Sequence, residues 1–178
     1  MVRWLTLSGR GFAEMGRPAD ALAMGEEAGG GLEEVERVRG LLQDNCLHYT
    51  ATVRDPATGG TWPLTHWSAL DFRAHGDLGD PRFVWEVNRC HHLVTLARAF
   101  VVSGDERYAR AVWDDIASWI EANPPYHGVN WTSALEAAIR LISWAMALDL
   151  TGGAGGDPGR ARDLAASVWL QARHVSDN

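Results

Sequence analysis

The sequence is poor in the features that mark disulfide-stapled, membrane-spanning or nucleotide-binding proteins. Its two cysteines, Cys46 and Cys90, in 178 residues make neither a disulfide framework nor a Cys-x-x-Cys metal site, so both are expected to be packing residues. The longest uncharged apolar run, Leu141 to Leu148, is far shorter than the roughly 20 residues a bilayer-crossing helix needs. Integral membrane insertion is therefore not expected. Met1 to Gly9 hold no sustained apolar segment and no clear cleavage signal. Gly-x-Ser-x-Gly, Walker A and Gly-x-Gly-x-x-Gly patterns are absent, which leaves no nucleophile elbow and no phosphate cradle. Basic residues are outnumbered, and a net charge of -7 disfavours non-specific nucleic-acid binding, which needs phosphates neutralised by Lys and Arg. A local basic strip could still hold an anion. Seven histidines include the pair His91-His92, but neighbours on a helix point about 100° apart and do not chelate one ion readily. With no His-Glu-x-x-His motif either, no metal and no other cofactor is expected.

What is present is an ordinary globular balance, 46% hydrophobic and 22% charged, enough for one domain with a core. Residues 1 to 45 read as a weakly specified leader with one short helix, Leu32 to Gln43. Residues 46 to 80 carry the turn signals Asp55-Pro56, Gly59-Gly60 and Gly79-Asp80-Pro81 and read as loop. From Pro81 the punctuation becomes regular. Asp80 and Pro81 predict a helix start, with Gly104 as its left-handed stop after Ser103. Asp105 caps a second helix, which Pro124 and Pro125 end at Asn123. A third runs from near Trp131 to Leu150, and Asp157-Pro158 opens a fourth that reaches the C-terminus. The first connection is very short, which makes neighbouring helices antiparallel. The fold expected is all-α, hairpin after hairpin, with residues 46 to 178 as the helical domain.

Two helices have informative faces. In the first, Val87, Cys90, Val94, Ala97 and Val101 fall in one arc at helical spacing and are expected to face the core. Opposite lie Trp85, Asn88, Arg89, His92 and Thr95, either a plain wet face or, given side chains suited to recognition, a groove lining. The third helix is apolar nearly all round, so burial on most sides is expected. Yet Ser133, Glu136, Arg140 and Ser143 form a polar strip about 80° wide at helical spacing. Glu136 and Arg140, at i and i+4, stand in the favourable order for an ion pair. The strip is either a buried clamp that fixes helix register or the border of a cavity where Arg140 meets an anion. In the second helix, Tyr108, Val112, Ile116 and Trp119 follow core spacing. Nine tryptophans are present; Trp62, Trp67, Trp85 and Trp131 are candidates either for packing or for stacking on sugar faces.

Several segments together resemble the N-terminal domain of heparinase II/III-type polysaccharide lyases. They are Gly60-Thr61-Trp62-Pro63, Asp80-Pro81-Arg82-Phe83-Val84-Trp85-Glu86-Val87-Asn88-Arg89, His92-Leu93-Val94-Thr95-Leu96-Ala97, Gly104-Asp105-Glu106-Arg107-Tyr108, Ser118-Trp119-Ile120 and Asn123-Pro124. To these are added Gly128-Val129-Asn130-Trp131 and the run through Leu135-Glu136 to Arg140-Leu141-Ile142-Ser143-Trp144. Order and spacing match from about residue 60 to 150. The Trp-Glu-x-Asn-Arg and Asn-Trp…Leu-Glu…Arg segments are the specific ones, whereas Gly-Asp-x-x-Tyr is common in helical hairpins.

The resemblance implies an incomplete (α/α) toroid, completed in full-length members by further helices and a C-terminal β-rich domain. It implies β-elimination on a uronate-containing polysaccharide, such as a glycosaminoglycan or alginate, and a periplasmic or secreted location. That reaction needs a group that neutralises the uronate carboxylate, a base for the C5 proton and an acid for the leaving oxygen. Lyases of this type are expected to use Asn, Tyr and His on a segment that opens with an Asn-His pair. No such pair occurs here, so no catalytic residue is assigned and the chain alone is expected to be inactive. Trp85, Asn88, Arg89, His92, Asn130, Trp131, Glu136 and Arg140 are expected to bind or orient the substrate. The competing readings are a non-catalytic helical module that binds acidic glycans, and a helical scaffold for protein partners.

Overall fold

The computed structural model describes residues 59–73 and 76–178. The leader, its helix Leu32 to Gln43, Cys46 and the Asp55-Pro56 turn lie outside the described residues. Short 3-10 turns at Trp67–Ala69 and Gly76–Leu78 lead into helix α1, Pro81–Asn88. Then follow α2, His91–Ser103, α3, Glu106–Ala122, a 3-10 turn at Val129–Trp131, α4, Ala134–Thr151, and α5, Pro158–Asp177. The described part is all-α. It contains no strand; an isolated antiparallel bridge joins His66 and His127. None of the described helices is long and apolar enough to cross a membrane.

The helix ends follow local chemistry. Asp80 accepts the Arg82 backbone N–H at 2.9 Å, and Asp105 that of Arg107 at 3.0 Å, each satisfying one of the donors left unpaired at a helix start. Asp157 does the same for Gly159 and Arg160. Gly104 and Gly152 close α2 and α4 in the left-handed conformation, which costs glycine little.

The single helix expected from Pro81 to Ser103 is instead two. Cys90 sits at φ 57°, ψ 33° between them, a conformation that costs a residue with a Cβ roughly 1–2 kcal/mol. It is held there by burial and by its thiol, which donates to the Asn88 carbonyl at 3.4 Å. The break resets the helical phase. The core face of α2 therefore holds His92, Leu93, Thr95, Leu96, Ala97 and Ala99, while Val101 is exposed. Of the arc expected to face inward, Cys90 and Ala97 are buried, Val87 and Val94 are half-buried, and only Val101 is exposed.

Helix α2 packs on α3 and α4, and α5 packs on α4 and α3. Tyr108, Val112, Ile116 and Trp119 of α3 are buried as their spacing indicates. The glycine-rich turn before α5 sits close on α3: Trp113 Nε1 donates to the Ala154 carbonyl at 3.0 Å, and a Cβ on Gly156 would come within 2.5 Å of the Trp113 ring. Helix α4 departs from expectation in two ways. It begins after Trp131, which belongs to the 3-10 turn. It is also not buried on most sides, since Leu135, Ile142 and Met146 are each at least half exposed. Its polar strip, Glu136, Arg140 and Ser143, lies inside together with Ala137, Trp144 and Ala147.

Candidate functional site

Eight residues were singled out from the sequence, and seven of them gather along one polar seam. At the end of α1, Arg89 grips the Glu136 carboxylate with both arms, Nε to Oε2 at 2.7 Å and Nη2 to Oε1 at 2.9 Å. Its third nitrogen donates to Glu86. The expected Glu136–Arg140 ion pair gives way to this Arg89–Glu136 pair, because a bidentate fork is the stronger arrangement. The hydrogen bonds to Glu136 raise the Arg89 pKa. Arg89 keeps 26% of its side chain exposed.

Arg140, one turn further along α4, is fully buried. Its Nε donates to Gln171 Oε1 of α5 at 2.7 Å, and its guanidinium lies 4.0 Å over the Trp119 ring. Two longer contacts of 3.5 Å reach the carbonyls of Asn88 and Asn130. Burial lowers its pKa to about 10, opposed by Cys90 and Glu136 nearby, so it remains a cation at neutral pH. The sequence contains no lysine, and this buried charge depends on the delocalised, weakly hydrated guanidinium.

The asparagines tie the seam to the backbone. Asn88 accepts Trp119 Nε1 at 2.7 Å and donates to the Val84 carbonyl. Asn130 donates to Asn123 Oδ1 at 2.7 Å. Trp85 Nε1 donates to the Val129 carbonyl at 2.9 Å, and Trp131 is buried against Tyr126 and His174. His92 belongs to a different seam: its Nε2 lies 3.2 Å from Asp115 on α3. Trp62 is also buried, in a cluster with Val84 and Val129. Among the described residues no three His, Cys, Asp or Glu side chains converge as metal ligands would.

An open cavity of about 360 Å³ at the C-terminal end of α5 was not foreseen from the sequence. Its lining includes His66, Trp67, Tyr126, Trp169, Arg173 and His174. Two chain segments are clamped to form one wall, Trp67 N–H to the Tyr126 carbonyl and Gly128 N–H to that of Thr65, both 2.8 Å. Tyr126 is held at φ 62°. His174 is buried beneath, ringed by Trp67, Tyr126 and Trp131 at centroid distances of 5.2, 5.9 and 5.5 Å. Burial is the main cause that lowers its pKa, so the ring is neutral at neutral pH. The spacing of Trp169, Arg173 and His174 on α5 was the one available signal. The other wall comes from residues that read only as loop.

The seam joins helices to an irregular loop, beside a partly aromatic cavity, within an all-α domain. Residues 58–150 match the family model described as Heparinase II/III N-terminus. The match covers over half of the chain, and the chain belongs to that family. No curated protein matches it, and no solved structure does.

Proposed function

We propose that the chain forms the N-terminal, groove-lining part of a polysaccharide lyase that acts on uronate-containing glycans, within an incomplete (α/α) toroid. The observation that carries this is the family membership across residues 58–150, the family being named for lyases of a uronate-containing glycan. The buried seam supports it. Trp85, Asn88, Arg89, Asn130, Trp131, Glu136 and Arg140 act by orientation: they fix the 123–131 loop and α5 relative to α1 and α4, while His92 ties α2 to α3. Only Arg89 among the charged members keeps enough exposure to meet a glycan carboxylate directly. The exposed stripe of Leu135, Ile142 and Met146 is apolar surface of the kind that marks an interaction site, and further helices of the toroid would cover it. The chain carries no Asn-His pair, so binding without elimination is the activity proposed for these 178 residues.

The test is titration with heparan and alginate oligosaccharides at low ionic strength, followed by tryptophan fluorescence, with a parallel assay for unsaturated uronate ends. Binding that weakens with added salt, without new unsaturated ends, is the expected result. Absence of binding to any uronate glycan would remove the groove reading. Unsaturated products would remove the claim that these residues do not suffice for elimination.

A further inference from the structure

The isolated bridge between two loop segments sets His66 directly opposite His127. The flanking hydrogen bonds, Trp67 N–H to the Tyr126 carbonyl and Gly128 N–H to the Thr65 carbonyl, enclose the pair without passing through it. That is the non-hydrogen-bonded site of an antiparallel ladder, where facing side chains stand closest and project to the same side. The two imidazole rings accordingly lie 5.8 Å apart between centroids, edge to face at 84°. Both residues are exposed. The backbone beneath them is set: His127 N–H donates to the Pro124 carbonyl at 3.0 Å, and Tyr126 is held at φ 62°. A cost of that kind persists where the surroundings over-determine the backbone.

Hydrogen bonds at one nitrogen of each ring decide what the other can do. His127 Nδ1 lies 2.7 Å from the Pro125 carbonyl. A carbonyl only accepts, so Nδ1 carries the proton and Nε2 keeps its lone pair. His66 Nδ1 lies 2.8 Å from the Ser68 hydroxyl and 3.4 Å from the Ser68 backbone N–H. The hydroxyl can accept as well as donate. With Nδ1 protonated, His66 therefore keeps the short bond and gives up only the long one, which is weak. Neither Nε2 has a hydrogen-bond partner among the described residues. An oxygen acceptor on the far nitrogen is the support that orients metal-binding histidines. Neutral imidazole suits zinc, nickel or copper, whereas magnesium and calcium take oxygen ligands. The ring separation of 5.8 Å is compatible with two nitrogens each about 2.0–2.1 Å from one zinc ion.

We propose that Nε2 of His66 and Nε2 of His127 together bind one divalent transition-metal ion of the zinc type, with water in its remaining positions. Two protein ligands are fewer than a structural zinc site uses, so the ion is exchangeable. It staples the segment that precedes α1 to the loop between α3 and α4. The site goes beyond the lyase reading and does not depend on it. Spacing along the chain could not show it, since only the fold brings these two histidines together.

The test is a calorimetric titration of the metal-stripped full chain with zinc chloride, and with magnesium chloride as the control. One zinc ion is expected to bind and to raise Tm, and magnesium to do neither. His66→Ala and His127→Ala should each weaken zinc binding by at least about 10-fold, because the remaining imidazole loses the effective concentration of its partner. His91→Ala should leave it unchanged. As both ligands are exposed, circular dichroism should show the helices intact in every variant. With cobalt in place of zinc, the visible spectrum should show nitrogen and oxygen ligation without a thiolate charge-transfer band. Absence of zinc binding overturns the proposal. So does binding that survives either His66→Ala or His127→Ala, or a thiolate band in the cobalt spectrum. Each of these results leaves the lyase reading standing, and the glycan titrations decide that one separately.

Discussion

Gln171→Leu removes the one short hydrogen bond that reaches the fully buried Arg140 guanidinium. The contacts to the Asn88 and Asn130 carbonyls are 3.5 Å long, and at that length a hydrogen bond is weak. Gln171 Oε1 accepts at 2.7 Å, while its own Nε2 lies 3.1 Å from Ser167 Oγ, which fixes the amide the right way round. A hydrogen bond to a charged group contributes about 1.5–3 kcal/mol, and stranding a buried ionic donor costs at the upper end of that range or beyond. A loss of about 3 kcal/mol is therefore expected, or about 6–12 °C in Tm for a chain of this size. Arg140→Met combined with Gln171→Leu makes both partners apolar and removes the stranded charge. The double variant should fall short of the summed single losses by about 1–3 kcal/mol. Urea and thermal unfolding followed by circular dichroism measure all three variants. Strict additivity, or a Gln171→Leu loss below about 0.5 kcal/mol, would refute the assignment of Gln171 as the partner that makes the buried cation tolerable.

Three further outcomes follow from other parts of the structure. His174 has a lowered pKa, so the fold favours its neutral form. Its contribution is complete above the ordinary value of about 6.5 and is lost as pH falls through the lower, folded value. Thermal scans from about pH 7 down to about pH 5 should show a steeper loss for the native chain than for His174→Phe; equal slopes would contradict this. Gly156→Ala should cost about 1–3 kcal/mol, because the added Cβ meets the Trp113 ring at 2.5 Å. An unchanged Tm would mean that the turn shifts freely. Glu136→Gln leaves Arg89 with Glu86 as its carboxylate partner and one neutral acceptor in place of the fork. As Arg89 is partly exposed, the expected loss is only about 1–2 kcal/mol in urea unfolding, with helix content retained.

Which features could be read from the sequence depends on how local their causes are. The ends of α3, the stop at Gly104 and the start of α5 were legible because caps, prolines and glycines act on their own neighbours. The break at Cys90 was not, because nothing adjacent to that residue favours a left-handed backbone; long-range burial imposes it. The polar strip on α4 was visible as Glu136, Arg140 and Ser143 at helical spacing, but its partners were not. Arg89 precedes Glu136 by 47 residues and Gln171 follows Arg140 by 31, and periodicity is silent on contacts at such range. Spacing suggests an i+4 pair for Glu136, but the bidentate Arg89 at the end of α1 outcompetes it. The exposed side of α4 misled for a related reason: apolar residues on all faces do not reveal which of them a neighbour covers. The cavity escaped because it joins one helix end to two loop segments clamped at Thr65–Trp67 and Tyr126–Gly128.

The buried guanidinium has a consequence for how the domain breathes. Through one ion, Arg140 tethers the last turn of α1, the stretch around Asn130, the ring of Trp119 and the body of α5. That stretch has little regular structure, yet swinging away alone would take the Asn130 carbonyl from Arg140 and uncover Val129, Asn130 and Trp131, all of them buried. Its amide hydrogens should therefore exchange with solvent only when the helices themselves come apart. A loop that looks like the softest element of the chain would then be as slow to open as its centre.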